Sequence, residues 1–262
     1  KAVLQGKQPG PTVAIMGELD ALVVPDHPRA DSATGAAHAC GHNAQIAGML
    51  GAAMGLVRSN AAEHLCGNVV FFAVPAEEYV EIDYRLGLVK EGKTSFIQGK
   101  PELVRLGHFD DVDMAVMIHS TSPDQAAGSM GIAESNNGFL AKNIRFIGTA
   151  AHAGARPDLG VNALNAATLA LGAIHAQRET FRDEDCVRVH PIITKGGDLV
   201  NIVPAEVRME TYVRAKSPEA VMSASFRVDR ALRGAAMALG CKVEIESIPG
   251  SLPLRSNPGL AA

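Results

Sequence analysis

The sequence predicts an α/β domain with a mostly parallel sheet covered by helices, together with a smaller α+β unit of the ferredoxin-like βαββαβ type. Two patterns support this prediction. Three short apolar runs, at residues 13–16, 68–74 and 114–118, alternate with helix-like segments, which is typical of βαβ units. After residue 138, apolar and polar residues alternate along several segments, which indicates half-buried strands of a second sheet.

Each apolar run of the first domain is followed by a residue that can take part in chemistry. Asp20 follows the first run, Glu77 and Glu78 follow the second, and His119 follows the third. In open α/β sheets, ligands bind outside the carboxyl ends of the strands. We therefore expect these four side chains to lie at one edge of the sheet.

A helix is predicted over residues 44–58, directly after the first loop. Asn43 is the expected N-cap, because a short polar side chain can accept from the free N–H groups of the first turn. The glycines at positions 48, 51 and 55 lower the helix propensity of this segment, but they permit close packing against the sheet.

The second unit is predicted to contain four strands and two helices. Its second helix begins at Ser217 and Pro218, because proline suits the first helical position. The predicted strands cover residues 139–147, 187–193, 206–213 and 242–246, and the predicted helices cover residues 161–181 and 217–240. The expected domains are residues 1–136, an inserted unit at 137–248, and a return to the first domain at 249–262. Both ends of the chain are expected to be cut.

The composition argues against nucleic-acid and membrane partners. Hydrophobic residues make up 47% and charged residues 20% of the 262 positions, as in ordinary globular proteins. A net charge of −4 does not provide the basic face that nucleic-acid binding requires. The sequence has no apolar run of transmembrane length, no recognisable signal peptide and no disulfide-like spacing of its four cysteines. We therefore expect a reducing, cytoplasmic setting.

Cys40 and His42 concentrate soft metal ligands or nucleophile chemistry in one short stretch. Residues two apart point in different directions on a helix, but on a turn they can reach one site, and Gly41 permits a tight turn between them. Three interpretations remain open from these residues alone. They are a buried cysteine beside a helix-capping histidine, a catalytic cysteine with a histidine base, and half of a metal site.

Glu77, Glu78 and His119 favour the metal site. Two adjacent carboxylates repel each other, so a shared buried position needs a cation or a proton, although a solvated loop pair is the commoner arrangement. One acid of such a pair can bind metal while its neighbour takes a proton from water. Together with Cys40 and His42, these residues provide sulfur, nitrogen and oxygen ligands suited to Zn²⁺ or Mn²⁺. Asp20 could orient a ligating histidine.

Three polar residues of the second unit suit a substrate carboxylate or a developing oxyanion. His152 follows a strand in a segment of small residues, Asn201 lies in a loop between strands, and Arg214 ends a strand. For each residue alone, a surface loop position without function is the simpler interpretation.

With these residues in hand, the chain resembles the M20 metallopeptidase/amidohydrolase family, and within it the aminoacylase-like and p-aminobenzoyl-glutamate hydrolase-like branch. Six segments carry the resemblance, occur in the order of the family and cover nearly the whole chain. They are residues 17–22 (GELDAL), 38–43 (HACGHN), 75–78 (PAEE), 118–119 (IH), 148–152 (GTAAH) and 196–204 (GGDLVNIVP). Glu18 and Asn43 stand where many relatives have Asp, and we interpret both as marks of a subtype.

The resemblance implies a hydrolase with two divalent metal ions, Zn²⁺ or Mn²⁺, and an inserted dimerisation or lid domain. It implies Cys40, His42, Glu78 and His119 as metal ligands and Glu77 as the general base, with Asp20 also catalytic. His152 would stabilise the oxyanion, at the active site of the partner subunit, and would bind substrate together with Asn201 and Arg214. The last metal-ligating histidine of the family has no counterpart before Ala262.

The predicted function is metal-dependent hydrolysis of the amide bond of an N-acyl or N-aroyl amino acid, or of a dipeptide, by a homodimer. Two alternatives remain open. One is a cysteine hydrolase with Cys40 as the nucleophile. The other is a degenerate, dimerising fragment that keeps the fold without turnover, which the missing ligand favours.

Overall fold

The computed structural model of the chain describes residues 1–121, 131–132 and 135–261. The chain divides into two compact units, Lys1–Met130 and Gly131–Ala262. The three-part division expected from the sequence stays a prediction. Within the described part of the chain, no helix is long and apolar enough to cross a membrane.

The first unit is built around a mixed four-stranded sheet. Its strands and helices are β1 (Ala2–Gln5), β2 (Gln8–Glu18), β3 (Leu22–Val23), β4 (Ala36–Ala37), α1 (His42–Arg58), β5 (Cys66–Val74), α2 (Ile82–Lys90), α3 (Gly99–Arg105) and β6 (Met114–Met117), with a 3-10 turn at Ala61–His64. The sheet order is β1-β5-β2-β6. The pairs β2–β5 and β2–β6 are parallel, whereas β1, which was not predicted, runs antiparallel to β5.

The three predicted strands of the first unit are present, and the parallel register brings their carboxyl ends to one edge. Glu18 is paired with Val74, and Met16 is paired with Met117. The buried side chains of this sheet form a small apolar core of Ala14, Met16, Val70, Phe72 and Val74, against which Leu103, Phe109 and Val112 pack. Residues that follow these strands therefore share one edge of the sheet.

Helix α1 begins two residues earlier than predicted, so Asn43 is not its N-cap. Gly41 occupies the cap position with a φ of 102°, and no side chain caps the helix. A Cβ atom at Gly41 would lie 2.1 Å from Ser120 Oγ, so this position requires both the left-handed conformation and the small size of glycine. Of the three helical glycines, only Gly48 is close to another element, because a Cβ there would lie 2.8 Å from Ile118 Cδ1.

The second unit contains a five-stranded antiparallel sheet and two long helices. Its elements are β7 (Ser135–Asn136), β8 (Gly138–Ile147), α4 (Ala163–Ala176), β9 (Arg188–Val189), β10 (Ile192–Lys195), β11 (Glu206–Ala215), α5 (Pro218–Ala238), β12 (Lys242–Pro249), β13 (Leu254–Arg255) and α6 (Pro258–Ala261), with 3-10 turns at Pro157–Leu159, Arg178–Thr180 and Asp183–Asp185. The sheet order is β10-β11-β8-β12, and β9 also pairs with β11. The single strand predicted at residues 187–193 is thus two short strands, interrupted before Pro191, which lacks an N–H for the ladder.

Side-chain caps set the starts of both long helices. Ser217 Oγ accepts a hydrogen bond of 3.1 Å from the Ala220 N–H, and Pro218 follows at the first helical position, where the sequence predicts it. Asn162 Oδ1 accepts from the N–H groups of Leu164 and Asn165. Between the helices and the sheet lies the larger apolar core of the chain, which includes Phe146, Met209 and Leu232.

Candidate metal centre

Six predicted site residues of the first unit lie at the carboxyl edge of its sheet. Asp20 follows β2 and His119 follows β6. Glu77 and Glu78 lie between β5 and α2, and Cys40 lies just before α1. His42 is the first residue of α1 and lies among them. The convergence that the sequence predicts for these side chains agrees with the distances between their polar atoms.

His42 is buried, and its ring is held in one tautomer. Only 1% of its surface is exposed, and Nδ1 lies 2.9 Å from the backbone carbonyl oxygen of Asp20. A carbonyl oxygen can only accept a hydrogen bond, so Nδ1 carries the proton and donates. Nε2 faces the interior of the site, where its lone pair can bind a metal ion.

Three carboxylates surround His42 Nε2. Glu18 Oε2 lies 2.9 Å away, Glu77 Oε2 3.8 Å and Glu78 Oε1 3.9 Å. The nearest contact has the distance of an ion pair without the geometry of a hydrogen bond. Among the described residues, His42 Nε2, Glu78 Oε1 and Asp20 Oδ1 are buried and have no hydrogen-bond partner.

This donor set fits a divalent cation. Buried acceptor atoms that face one another without donors are unfavourable, and a positive ion between them satisfies several at once. Imidazole nitrogen, thiolate and carboxylate oxygen are ligands for Zn²⁺ and Mn²⁺. The residues present therefore fit the metal that the motifs imply.

Two overlapping groups of three side chains bring potential ligand atoms within 4.8 Å of one another. One group is Cys40, His42 and His119, and the other is Glu18, His42 and Glu77. Cys40 Sγ lies 3.6 Å from His119 Nε2, which matches the separation of about 3.3–3.8 Å expected for two ligands on one tetrahedral zinc ion. Both groups share His42, so one imidazole lies between two candidate ligand clusters.

Glu78 belongs to neither group of three, although it was predicted as a ligand. Its carboxylate lies beside both groups, close to Cys40 and to His42. Its backbone N–H donates a hydrogen bond of 2.8 Å to Asp20 Oδ2. The backbone of Glu78 is thus tied to the residue whose carbonyl fixes His42.

Glu77 has the electrostatic environment of a proton acceptor. Burial raises the pKa of its carboxyl group, and the nearby negative charge of Glu18 raises it further. A carboxylate with a raised pKa is a better proton acceptor than an exposed one. The electrostatic environment of Glu77 therefore agrees with the general-base role that the resemblance implies.

Cys40 has the opposite environment from that of a nucleophilic cysteine. Burial raises the pKa of its thiol to about 12, and the carboxylates of Glu78, Glu77 and Glu18 add to this. Nucleophilic thiols lie beside positive charges that lower the pKa. The surroundings of Cys40 therefore argue against the cysteine-hydrolase alternative.

Glu18 is a site residue that the sequence interpretation missed, because it was taken only as a mark of subtype. It is 2% exposed, accepts from Lys100 Nζ and accepts from Gln45 Nε2 at 2.9 Å. Burial raises its pKa, but Lys100, Gln45 and His42 outweigh burial and lower it overall. Its position at the carboxyl end of an apolar strand was the available signal, and that position alone does not distinguish it from any other strand-end acid.

In the second unit, His152 and Asn201 lie on adjacent loops. His152 pairs with Ile202 in an isolated antiparallel β-bridge, and the Ala153 N–H donates to the Asn201 carbonyl oxygen at 2.9 Å. His152 Nδ1 accepts from the N–H groups of Gly154 and Ala155 at 3.2 and 3.1 Å. The exposed Nε2 therefore carries the proton, as an oxyanion donor requires.

The structure does not bring Arg214 together with His152 and Asn201. Strand β11 pairs Glu206 with Ile147 at one end and Arg214 with Phe139 at the other. At about 3.3 Å per residue, these two ends are about 26 Å apart. The Arg214 guanidinium lies over the rings of Phe139 and Tyr212, at 5.2 and 5.1 Å.

Residues 14–262 match the profile of the family described as Peptidase family M20/M25/M40. The chain belongs to this family. The resemblance that the six sequence segments suggested is therefore confirmed.

Individual M20 relatives match over most of this chain but only part of their own length. The chain is 33% identical over 214 residues to Xaa-Arg dipeptidase of Mus musculus, a match that covers 80% of this chain and 43% of that protein. It is 30% identical over 256 residues to one of the subunits of p-aminobenzoyl-glutamate hydrolase from Escherichia coli strain K12, covering 93% and 53%. The M20 chain thus spans about half the length of these relatives.

Solved M20-type structures share the fold. A dinuclear metal-binding peptidase of the M20 family from Bacillus subtilis superposes with a TM-score of 0.67 at 22% identity, covering 99% of this chain and 63% of that one. An aminobenzoyl-glutamate utilization protein from Klebsiella pneumoniae gives a TM-score of 0.63 at 24% identity, covering 99% and 56%. These similarities confirm an M20 peptidase-like fold with a mixed sheet and helices.

Proposed function

We propose that this chain carries the metal centre of a hydrolase that cleaves the amide bond of an N-acyl or N-aroyl amino acid, or of a dipeptide. The observation that carries the proposal is the buried lone pair of His42 Nε2, which faces three carboxylates beside Cys40 and His119. Family membership and the names of the relatives, a dipeptidase and one component of an aminobenzoyl-glutamate hydrolase, support the substrate class.

In this proposal, Cys40, His42, Glu78 and His119 hold two divalent metal ions. The unpaired atoms of His42 and Glu78 support this assignment. The thiol of Cys40 favours Zn²⁺ over Mn²⁺, because soft sulfur ligands select softer ions. When bound, the metal ions supply the Lewis acidity that activates water and polarises an amide carbonyl.

Groups of the protein itself then transfer protons or keep them on particular atoms. Glu77 takes a proton from the attacking water and passes it to the leaving amine, for which its raised pKa is suited. The Asp20 carbonyl keeps the proton of His42 on Nδ1, so that Nε2 stays available as a ligand. Asp20 thereby serves the reaction through His42 and Glu78.

The second unit is proposed to be a ferredoxin-like insertion, residues 137–248, through which two copies form a homodimer. The strand order β10-β11-β8-β12 supports this, because numbering the four strands along the chain gives the order 2-3-1-4 of a βαββαβ unit. His152 and Asn201 would bind substrate at one end of β11 and Arg214 at the other. Because about 26 Å separates these ends, they would serve the active sites of different subunits.

Metal analysis combined with hydrolysis assays tests the proposed function. We expect the purified chain to bind Zn²⁺ or Mn²⁺ at up to two ions per chain, and a chelator to abolish hydrolysis of dipeptides or N-acyl amino acids. The assay is best run in parallel on a longer chain that extends past Ala262. Metal binding without turnover in both would support the degenerate alternative, and turnover that resists the chelator would contradict the proposal.

A further inference from the structure

Three consecutive backbone carbonyls at the metal centre are each held by a donor from α2 or from the start of α3. The Gly99 N–H donates to Ala76 O at 2.9 Å. Gln98 Nε2 donates to Glu77 O at 2.7 Å, and Arg85 Nη1 donates to Glu78 O at 2.6 Å. The loop that carries both glutamates is therefore anchored at every peptide unit from Ala76 to Glu78.

This anchoring opposes two unfavourable features of the loop. Ala76 has a φ of 56°, a left-handed conformation that residues with a side chain rarely adopt. The carboxylates of Glu77 and Glu78 both approach His42 Nε2, within 3.8 and 3.9 Å, and so bring two like charges together. Without external donors, the loop could relax by turning either carboxylate towards solvent.

The two side-chain donors do not belong to the ligand set. Gln98 is a buried polar residue with 6% exposure, and Arg85 also donates to Ile97 O at 3.2 Å. The hydrogen bonds that Arg85 and Gln98 donate to this loop go to main-chain oxygens, not to carboxylates. Any influence they have on the carboxylates passes through the backbone.

The backbone of Glu78 is held from both sides. Its N–H donates to Asp20 Oδ2 at 2.8 Å, and its carbonyl accepts from Arg85. With both polar groups fixed, the direction in which the Glu78 side chain leaves the backbone is set. The direction of Glu77 is restricted in the same way by Gln98 and by the adjoining peptide units.

We propose that Arg85 and Gln98 are positioning residues that aim Glu78 and Glu77 at the metal centre. The inference rests on the proposed function, in which Glu78 is a ligand and Glu77 is the base. Arg85 acts through Glu78 and affects metal affinity, whereas Gln98 acts through Glu77 and affects the rate of the chemical step. Outer groups that orient metal ligands alter metal affinity by about 10- to 100-fold when removed.

A double-mutant cycle on metal affinity tests the role of Arg85. Zn²⁺ affinity would be measured by competition with a chromophoric chelator for the wild-type chain, Arg85→Met, Glu78→Gln and the double variant. We expect Arg85→Met alone to weaken binding about tenfold. In the Glu78→Gln background it should change binding less than twofold, because the group that it aims is already gone.

Matched controls separate positioning from general stability. Arg58→Met removes an exposed arginine from the end of α1 and should leave Zn²⁺ affinity unchanged. If Arg85→Met does not fold, as judged by circular dichroism, Arg85→Lys replaces it in the cycle, since it keeps a donor without the two-carbonyl fork. For Gln98→Leu, we expect kcat to fall at unchanged Zn²⁺ affinity, with Gln5→Leu as the control.

The possible outcomes are distinct. Equal losses from Arg85→Met in both backgrounds would overturn the positioning role while leaving the metal proposal intact. No Zn²⁺ or Mn²⁺ binding by the wild-type chain would overturn the proposed function and this inference with it. A loss confined to the background with Glu78 present supports both.

Discussion

Asp20 links two groups of the candidate centre that are far apart in sequence. Its carboxylate Oδ2 accepts a 2.8 Å hydrogen bond from the Glu78 N–H, while its carbonyl oxygen lies 2.9 Å from His42 Nδ1. One residue just after β2 thereby sets the tautomer of a predicted ligand and the backbone position of another. The resemblance implies a catalytic role for Asp20, which stays a prediction, and these contacts favour a role exerted through His42 and Glu78.

Replacing Asp20 with alanine should weaken metal binding. The substitution leaves the partly buried Glu78 N–H without its acceptor, which should lower the free energy of unfolding by about 1 kcal/mol or more. Because Glu78 then loses its fixed position, we expect the Zn²⁺ affinity to fall about 10-fold or more. Isothermal titration with Zn²⁺ and urea unfolding measure the two effects. Unchanged affinity in a folded Asp20→Ala chain would show that Asp20 does not position a ligand.

Glu77→Gln should separate metal binding from turnover. The amide keeps the size of the side chain but cannot accept a proton, so kcat should fall by about 10²- to 10⁴-fold with the metal content unchanged. Glu91→Gln, which removes an exposed carboxylate paired with Lys93, is the matched control and should leave kcat unchanged. Retained turnover in Glu77→Gln would exclude Glu77 as the base.

The Cys40 thiol should resist alkylation in the metal-free chain. With its pKa raised to about 12, mainly by burial, the thiolate fraction at pH 7 is about 10⁻⁵. Cys66 is exposed and provides an internal reference. Treatment with iodoacetamide at pH 7, followed by peptide mass spectrometry, should therefore label Cys66 well before Cys40. Preferential labelling of Cys40 with loss of a chelator-resistant activity would restore the cysteine-hydrolase interpretation.

Removing the charge of a buried ion pair in the second unit should lower the stability of the chain more than removing the charge of an exposed pair. Lys142 has a side chain with 0% exposure, and its Nζ lies 2.7 Å from Asp229 Oδ1 and 2.8 Å from Ser247 Oγ. Lys142→Met leaves Asp229, which lies on α5, with only the more distant guanidinium of Arg233 at 3.9 Å, so we expect a loss of about 3 kcal/mol in the free energy of unfolding. Lys195→Met removes an exposed pair with Asp198 and should change it by less than about 0.5 kcal/mol.

Adding Asp229→Leu to Lys142→Met distinguishes the pair from other effects of the lysine. Because replacing both charges with apolar groups removes the unpaired charge, the double variant should regain most of the lost stability. Urea unfolding followed by circular dichroism measures the free energy of unfolding of the wild-type chain, Lys142→Met, Lys195→Met and the double variant. Equal stability of the single and double variants would show that the ion pair is not the source of the loss.

The sequence predicted the parts of the fold that depend on strong local patterns. The apolar run at residues 68–74 became β5, and Ser217 with Pro218 marked the start of α5, because burial and capping leave a clear local signal. Strand β1 was missed, since residues 2–5 gain their pairing only from β5. Asn43 was wrongly taken as a cap, because the left-handed Gly41 and its contact with Ser120 are set by tertiary structure.

The same division applies to the candidate site. Asp20, Glu77, Glu78 and His119 could be anticipated because each follows an apolar strand at a shared sheet edge. The sequence alone could not distinguish Glu18 from an ordinary acid at the end of a strand. Its contacts with Lys100 and Gln45 in the interior are set by the tertiary structure. The separation of Arg214 from His152 depends on the register of β8 and β11, which the alternating pattern does not specify by itself.

Gly41 and Gly51 should respond in opposite ways to the same substitution. Gly41→Ala places a Cβ where φ is 102° and Ser120 Oγ would lie 2.1 Å away, so Ser120 or the helix start must move. The left-handed conformation alone costs about 1–2 kcal/mol for alanine. Because Gly41 separates Cys40 from His42, we expect Gly41→Ala to weaken Zn²⁺ binding as well as stability.

Gly51 lies inside α1 with nothing within 4 Å of an added Cβ, so Gly51→Ala should stabilise the chain by about 0.5–1 kcal/mol. Urea unfolding and Zn²⁺ titration of both variants check this contrast, and a Gly41→Ala chain with wild-type stability and affinity would contradict the requirement for glycine between the two ligands.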